Sequence, residues 1–362
     1  MDEHANTPSF HVKQPAASTV SEVEEGRSAA SAPAPAPPAE HPADDSPSQG
    51  QSSGETAPAA TDPFDFDTPL ARELADLTAR RRALEGVDVT LSGRTRVMTV
   101  SNQKGGVGKT TTTVNTAAAL ASVGARVLVI DLDPQGNAST ALGVPHTADT
   151  PSVYDVLIDD FPISDIIQVS PESPNLLCAP STIHLAGAEI ELVSQVAREH
   201  RLRTALEEYL AAHGDQLDFV LIDCPPSLGL LTINAFVAAH EVFIPIQCEY
   251  YALEGLSQLL GTVRMIQKHL NPGLRVSTIL LTMYDGRTNL AQQVAQEVRE
   301  HFPHEVMRTV IPRSVRVSEA PSFGQTVIAY DGNSAGGIAY REAAVEIIQR
   351  GERAAIDEEG AR

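Results

Sequence analysis

The residues that could do chemistry in this chain of 362 residues begin at Ser101-Asn-Gln-Lys-Gly-Gly-Val-Gly-Lys-Thr-Thr111. Gly105, Gly106 and Gly108 let backbone N–H groups turn inward on an anion, and a helix opening behind them adds its positive dipole end. Lys109 can then reach the β/γ-phosphates of a nucleotide, and the Thr110 hydroxyl can ligand Mg²⁺. Gly105, Gly106, Val107, Gly108, Lys109, Thr110 and Thr111 are the expected binding loop. The common pattern G-x-x-x-x-G-K-[ST] has a first glycine where this chain has Gln103, and an additional lysine stands at position 104. Two carboxylate segments could complete such a site: Asp131-Leu-Asp-Pro-Gln-Gly-Asn137 and Asp223-Cys-Pro-Pro-Ser227. Side chains alternate faces along a strand, so Asp131 and Asp133 should point the same way. One carboxylate there can hold Mg²⁺, often through water, while another positions an attacking water for in-line phosphoryl transfer. Any one of these aspartates alone would read as a turn former. Their combination with a Lys-Thr loop favours catalysis.

Something must bring these segments together. Near-continuous aliphatic runs occur at Val97–Val100, Val127–Ile130, Phe219–Ile222, Val242–Ile246 and Thr278–Leu281, separated by longer helical stretches. That alternation predicts a doubly wound, mostly parallel α/β domain over about residues 95–355, its sheet covered on both faces. The first run leads directly into the glycine-rich loop, and a helix carrying Val114, Ala117, Ala118 and Ala121 should end near Gly124. Ligands of such sheets collect beyond the C-terminal strand ends, which is where both aspartate segments fall. No fixed-period repeat suggests a solenoid.

Residues 1–62 are rich in Pro, Ala, Ser and acidic side chains. Such a segment cannot recover the backbone entropy of folding and is expected to be a disordered tail, open to a partner of its own. Residues 63–94 should form a short helix and linker, with Leu70, Leu74, Leu77 and Leu84 near helical spacing, arginines at 80–82 and Gly86 as terminator. A docking or dimer-capping role suits it. Residues 356–362 are expected to be a flexible end. With 26 Lys+Arg against 47 Asp+Glu, the net charge of −21 argues against coating nucleic acid through an overall field, so any DNA contact must be a local patch. No run of 18 apolar residues and no secretory pattern occurs, which predicts a cytosolic protein. Cys178, Cys224 and Cys248 are far apart and should be buried, reduced thiols.

Taken with Val129–Ala138 and Leu221–Ser227, the loop resembles that of the ParA/MinD group of P-loop ATPases, whose deviant Walker A loop carries an extra lysine. Leu281–Leu290 and Val310–Ser322 look like the chromosome-partitioning ParA (Soj) branch, and the resemblance covers about residues 95–350. It implies ATP and Mg²⁺ as cofactors and a homodimer with two ATP molecules sandwiched between protomers. Lys104 would reach the partner's nucleotide; Lys104, Lys109 and Asp133 would be catalytic. Thr110 and Asp223 match Mg²⁺ positions, Asp223 through water, with Asp131 a further candidate ligand. Pro312 falls in the adenine-contacting segment, and Ser314 stands where relatives often carry Asn. Arg287, Arg313 and Arg316 match a basic region that contacts DNA without sequence preference, through phosphates. A ParB-type partner would stimulate hydrolysis and release the dimer from the nucleoid. A lysine acting in trans neutralises transferring charge only after dimerisation, which couples assembly to hydrolysis.

Four rival readings are weaker. A MinD-like membrane-positioning ATPase needs a basic, apolar terminal helix, whereas Glu346–Arg362 is acidic and poor in bulky apolar residues, so no stable membrane association is expected. An iron–sulfur protein needs paired thiolates, and Cys224 and Cys248 are poorly spaced for that. An ATP-dependent ligase would need a dedicated small-molecule constellation. A partition ATPase that doubles as a repressor would need an N-terminal helix-turn-helix module, which the Pro/Ala/Ser segment does not supply.

Overall fold

The structure, a computed structural model, describes residues 68–360 except 88, 92, 214 and 215; the tail expected over 1–62 lies outside them. Among the described residues, eight strands form one sheet: β1 (Arg96–Val100), β2 (Val127–Asp131), β3 (Gln168–Val169), β4 (Leu176–Ala179), β5 (Phe219–Asp223), β6 (Glu241–Gln247), β7 (Arg275–Tyr284) and β8 (Val306–Pro312). Their order is β3-β4-β2-β5-β1-β6-β7-β8, parallel throughout except for the short β3, which runs against β4. The chain reverses its direction of travel across the sheet beside β1, the kind of switch point where a ligand crevice opens.

The aliphatic runs work because both sheet faces are buried. Val97, Leu128, Ile130, Val220, Ile222, Val242 and Ile244 point to one core, while Met98, Val100, Val127, Val129, Leu221 and Phe243 point to the other. Helices α2 (Lys109–Ser122) and α3 (Asn137–Ala141) cover the second core. The first is covered by α4 (Val153–Ile158), α5 (Leu185–Glu191), α6 (Arg201–His213), α7 (Leu230–Ala238), α8 (Ala252–His269) and α9 (Asn289–His301). The chain then returns to the second core with α10 (Val315–Glu319), α11 (Val327–Asp331) and α12 (Ala335–Gly360). The last helix passes residue 355, where a flexible end was expected to begin. Each fully buried aliphatic side chain contributes about 1.5–3 kcal/mol, so the double core carries most of the stability.

The five aliphatic runs all became strands. β4 and β8 escaped the sequence reading for different reasons. Leu-Leu-Cys-Ala is short and lacks β-branched residues, and Val-Met-Arg-Thr-Val-Ile-Pro mixes polar residues into an edge strand. A helix over Pro69–Glu85, α1, has Thr68 as N-cap and Gly86 as C-cap. It docks on α12, where the Arg80 guanidinium meets Glu342 at 2.9 and 2.7 Å. Val89 and Leu91 continue onto the second core. The three cysteines are free and buried.

Candidate nucleotide site

β1 delivers the chain into the glycine-rich loop, and three anchors fix the loop's path. Asn102 donates from Nδ2 to the Pro245 carbonyl at 2.9 Å and accepts from the Lys104 backbone N–H at 3.0 Å. The buried Val107 carbonyl accepts from Thr282 Oγ1 at 2.8 Å. Gly106 and Gly108 have φ of +75° and +88°, the left-handed region where a side chain would be strained. No atom lies within 4 Å of where a Cβ would sit on Gly105 or Gly106, so the loop faces open space wide enough for an anion to approach its backbone. Lys109 opens α2 and is only 7% exposed, its Nζ donating to the Lys104 carbonyl at 3.3 Å. Burial pulls its pKa down, against the charges of Asp223 and Asp133.

Two carboxylates end adjacent strands in register, Asp131 opposite Asp223. Both are fully buried, but they are employed differently. Asp131 Oδ2 accepts from the Ser139 N–H at 2.8 Å and from Ser139 Oγ at 2.7 Å, while its Oδ1 accepts from the Asp133 N–H at 3.1 Å. Its two oxygens therefore shape the loop that follows β2. Asp223 Oδ1 accepts from Thr113 Oγ1 at 2.9 Å, and the Thr110 hydroxyl lies near enough to favour the charged carboxylate. Its Oδ2 has no hydrogen-bond partner among the described residues. Burial, and then the neighbouring Asp131 charge, push the Asp223 pKa up; Thr110 and Thr113 offset only part of this. Burial pushes Asp131 up as well, against its three hydrogen bonds. A buried carboxylate with an unused oxygen, beside a threonine hydroxyl and an open glycine loop, is a donor set suited to a hard cation with phosphate oxygens. Asp133 lies one turn outward, half-buried, its Oδ1 accepting from the Gln135 N–H at 3.0 Å.

The fold thus brings Lys109, Thr110, Asp131, Asp133 and Asp223 to the C-terminal ends of β1, β2 and β5. Lys104 sits on the same edge, its Nζ paired with Glu249 Oε2 at 2.6 Å. Pro312 ends β8 beside Tyr284, and Ser314 is the N-cap of α10, packed close to Gly336. The three arginines follow β7 and β8, on this edge but at its far side. Arg287 is 90% exposed and pairs with Asp285 at 2.9 Å; Arg316 pairs with Glu319 at 3.1 Å and Asp331 at 3.5 Å. Arg313 is exposed, its N–H donating to the Tyr284 carbonyl at 3.4 Å. Exposed ion pairs are weak and screened by salt, so Arg287 and Arg316 can exchange these partners for others.

Sequence reasoning missed Asn102, Thr113, Ser139, Thr282 and Glu249. Thr113 stands one helical turn after Lys109, on the face turned to β5, and that spacing was a usable signal. Ser139 and Glu249 have only their position shortly after a strand end, and which atoms they meet is decided by the packing.

A family described as AAA domain matches residues 95–276. The sporulation initiation inhibitor protein Soj of Bacillus subtilis is 54% identical over 71% of this chain and 99% of its own length. The chromosome partitioning protein ParA of Caulobacter vibrioides is 52% identical over 70% of this chain and 94% of its own. Among solved structures, a cobyrinic acid a,c-diamide synthase from Mycobacterium smegmatis with bound ADP and magnesium is 39% identical, with a TM-score of 0.61 over 71% of this chain and 96% of that one. With the lysine-bearing loop, the two aspartate segments and these similarities together, the chain belongs to the ParA/MinD family of P-loop ATPases, in its Soj/ParA branch.

Proposed function

We propose that this protein hydrolyses ATP with Mg²⁺ to switch a homodimer on and off DNA, and thereby partitions a chromosome or plasmid. One observation carries the reading: the edge that gathers Lys104, Lys109, Asp133 and Asp223 also exposes Leu228, Tyr250 and Tyr251, a few residues past the ends of β5 and β6. Such an apolar rim suits a second copy closing over the nucleotide. The backbone N–H groups of residues 105–111 and the Lys109 ammonium would hold the phosphates. Thr110 Oγ1 and the unused Asp223 oxygen would hold Mg²⁺, Asp223 through water, while Asp131 holds the following loop. The ion's contribution when bound is to neutralise charge on the phosphate oxygens. Asp133, half-exposed with its Oδ1 held by the Gln135 N–H, would orient the attacking water. Lys104 would complete the site from the partner protomer, and Pro312 would border the base.

Arg287, Arg313 and Arg316, doubled in a dimer, would give sequence-independent, salt-dependent contact with DNA phosphates. The protein would then reside in the cytoplasm on the nucleoid, with a ParB-type partner stimulating hydrolysis and release. The names of the relatives from B. subtilis and C. vibrioides support this reading. DNA pelleting with ATP, ADP and no nucleotide, with and without a ParB-type protein, tests it directly. ATP-dependent retention that the partner reverses is expected; retention indifferent to nucleotide would overturn it. Arg316→Glu should lose retention yet keep ATP-driven dimerisation. Asp133→Ala should give a dimer that stays on DNA, and rapid hydrolysis by that variant would contradict the role of Asp133.

The 39% identity to a protein named as an amide-forming synthase favours a second reading, ATP-dependent amidation. Turnover accelerated by cobyrinic acid would support it, whereas acceleration by DNA with a ParB-type protein supports partitioning. No described helix is long and apolar enough to cross a bilayer, and the acidic Glu346–Arg362 segment is poorly suited to lie on an anionic one. Cosedimentation with anionic liposomes should show no ATP-dependent binding.

A further inference from the structure

Lys104 has a second partner within its own chain. Its backbone is fixed by Asn102, whose side chain is tied to β6 through the Pro245 carbonyl. Its ammonium is held by Glu249 Oε2 at 2.6 Å. The other carboxylate oxygen of Glu249 accepts from Gln247 Nε2, also at 2.6 Å, and the Glu249 N–H closes a turn onto the Gln247 carbonyl at 2.8 Å. The carboxylate is therefore positioned by the end of β6, not by chance contact of two long side chains. An ammonium paired at 2.6 Å with a carboxylate of its own protomer is not simultaneously extended toward another chain. Because the Lys104 backbone is anchored, leaving Glu249 needs only a swing of the lysine side chain over a fixed Cα.

We infer that Glu249 is the resting partner of Lys104, a positioning residue that holds this lysine in cis until a second protomer arrives. The inference rests on the proposed action of Lys104 across a dimer. Glu249 is followed by Tyr250 and Tyr251, which are 59% and 64% exposed and meet edge to face at 5.2 Å. A protomer that covers these tyrosines also reaches Glu249, so arrival of the partner and release of the lysine occur at one place. The pair is partly exposed, 35% at Lys104 and 46% at Glu249, so it is weak enough to be exchanged for a more highly charged phosphate. Glu249 thereby raises the threshold for assembly and keeps Lys104 from acting in a single chain.

The test uses the full chain carrying Glu249→Gln, Lys104→Gln or both, with sedimentation velocity read against protein concentration in a non-hydrolysable ATP analogue and Mg²⁺. Steady-state ATP hydrolysis is measured in parallel. Glu249→Gln should lower the concentration at half-dimerisation by about threefold, the scale of an exposed ion pair, and should have no effect when Lys104 is already Gln. Dimerisation unchanged or weakened by Glu249→Gln overturns the inference, as does an equal gain in the Lys104→Gln background. If Lys104→Gln itself alters neither dimerisation nor hydrolysis, the assignment of Lys104 to a trans role has failed, and the latch with it. If Lys104→Gln impairs hydrolysis while Glu249→Gln changes nothing, only the latch has failed.

Discussion

The two ends of the central strands bury carboxylates at equal depth and treat them in opposite ways. At the N-terminal end of β6, Glu241 is received by both nitrogens of the Arg96 fork at 2.9 and 2.7 Å. Arg96 in turn donates to the Ile347 carbonyl and lies over the Phe219 ring. Burial pushes the Glu241 pKa up, but the Arg96 hydrogen bonds and charge outweigh it and leave the carboxyl below its ordinary value. At the C-terminal end of β5, Asp223 has no cation in hydrogen-bond contact among the described residues and stays pushed up, with one oxygen unused. A buried charge hydrogen-bonded to a cation ties elements together; one that feels a cation only at longer range, as Asp223 feels Lys109, keeps an oxygen free for a ligand. Depth of burial does not separate the two residues, and the identity of the facing group does.

Breaking the compensated end should have the largest effect. Arg96→Ala leaves the buried Glu241 with only Arg275, at 3.5 Å, as a cationic partner, at a cost of about 3 kcal/mol, read as a lower urea midpoint with nucleotide binding retained in the fraction that folds. At the other end the sign reverses: Asp223→Asn should leave the ligand-free protein as stable or more so. What it loses is the extra stability that ATP and Mg²⁺ give the wild type, about 2.7 kcal/mol at a hundred times Kd, together with hydrolysis. Thermal midpoints with and without Mg²⁺-ATP measure both.

The contrast also has a pH signature. A raised carboxyl binds its proton more tightly in the folded state, so the stability it contributes is present below the ordinary carboxylate pKa, about 4, and declines as pH rises through the raised value of Asp223. The lowered Glu241 and Glu346 act in reverse: their contribution is present above the ordinary value and is lost as pH falls through the lowered one. The difference in stability between wild type and Asp223→Asn should therefore shift against the wild type as pH rises above about 4, by up to about 1.4 kcal/mol per pH unit. Thermal melts across pH on ligand-free protein provide the check, and a flat difference would deny that Asp223 is raised.

Smaller effects sharpen the picture. Ser139→Ala removes one donor from the buried Asp131 and should cost about 1–3 kcal/mol, with a larger loss of hydrolysis than of ATP binding because the loop to Asp133 loosens. Arg80→Ala should cost no more than about 1 kcal/mol and act locally, seen as faster hydrogen exchange in α1 alone.

Much of this was legible in advance because the signals are local. The aliphatic runs at Val97–Val100 and Val127–Ile130 are long enough and β-branched enough to state a buried parallel strand. Gly105, Gly106 and Gly108 before Lys109 state an anion loop through backbone freedom alone. Leu176–Ala179 and Val306–Pro312 were not legible, since the neighbour, and not the segment, makes a strand of them. The division of labour between Asp131 and Asp223 was only partly legible: the resemblance ranked Asp223 ahead of Asp131 as a Mg²⁺ position, but that Ser139 and the Asp133 N–H occupy both Asp131 oxygens was not visible.

By itself, then, the sequence determined the fold class and the position of a glycine-rich, lysine-bearing loop after β1, because periodicity and glycine content act over a few residues. Only the tertiary structure decided which carboxylate keeps an unused oxygen, that Lys104 rests on Glu249, and that α1 lies on α12. Those outcomes depend on which atoms from distant parts of the chain arrive within 3 Å of one another, and no spacing along the chain specifies that.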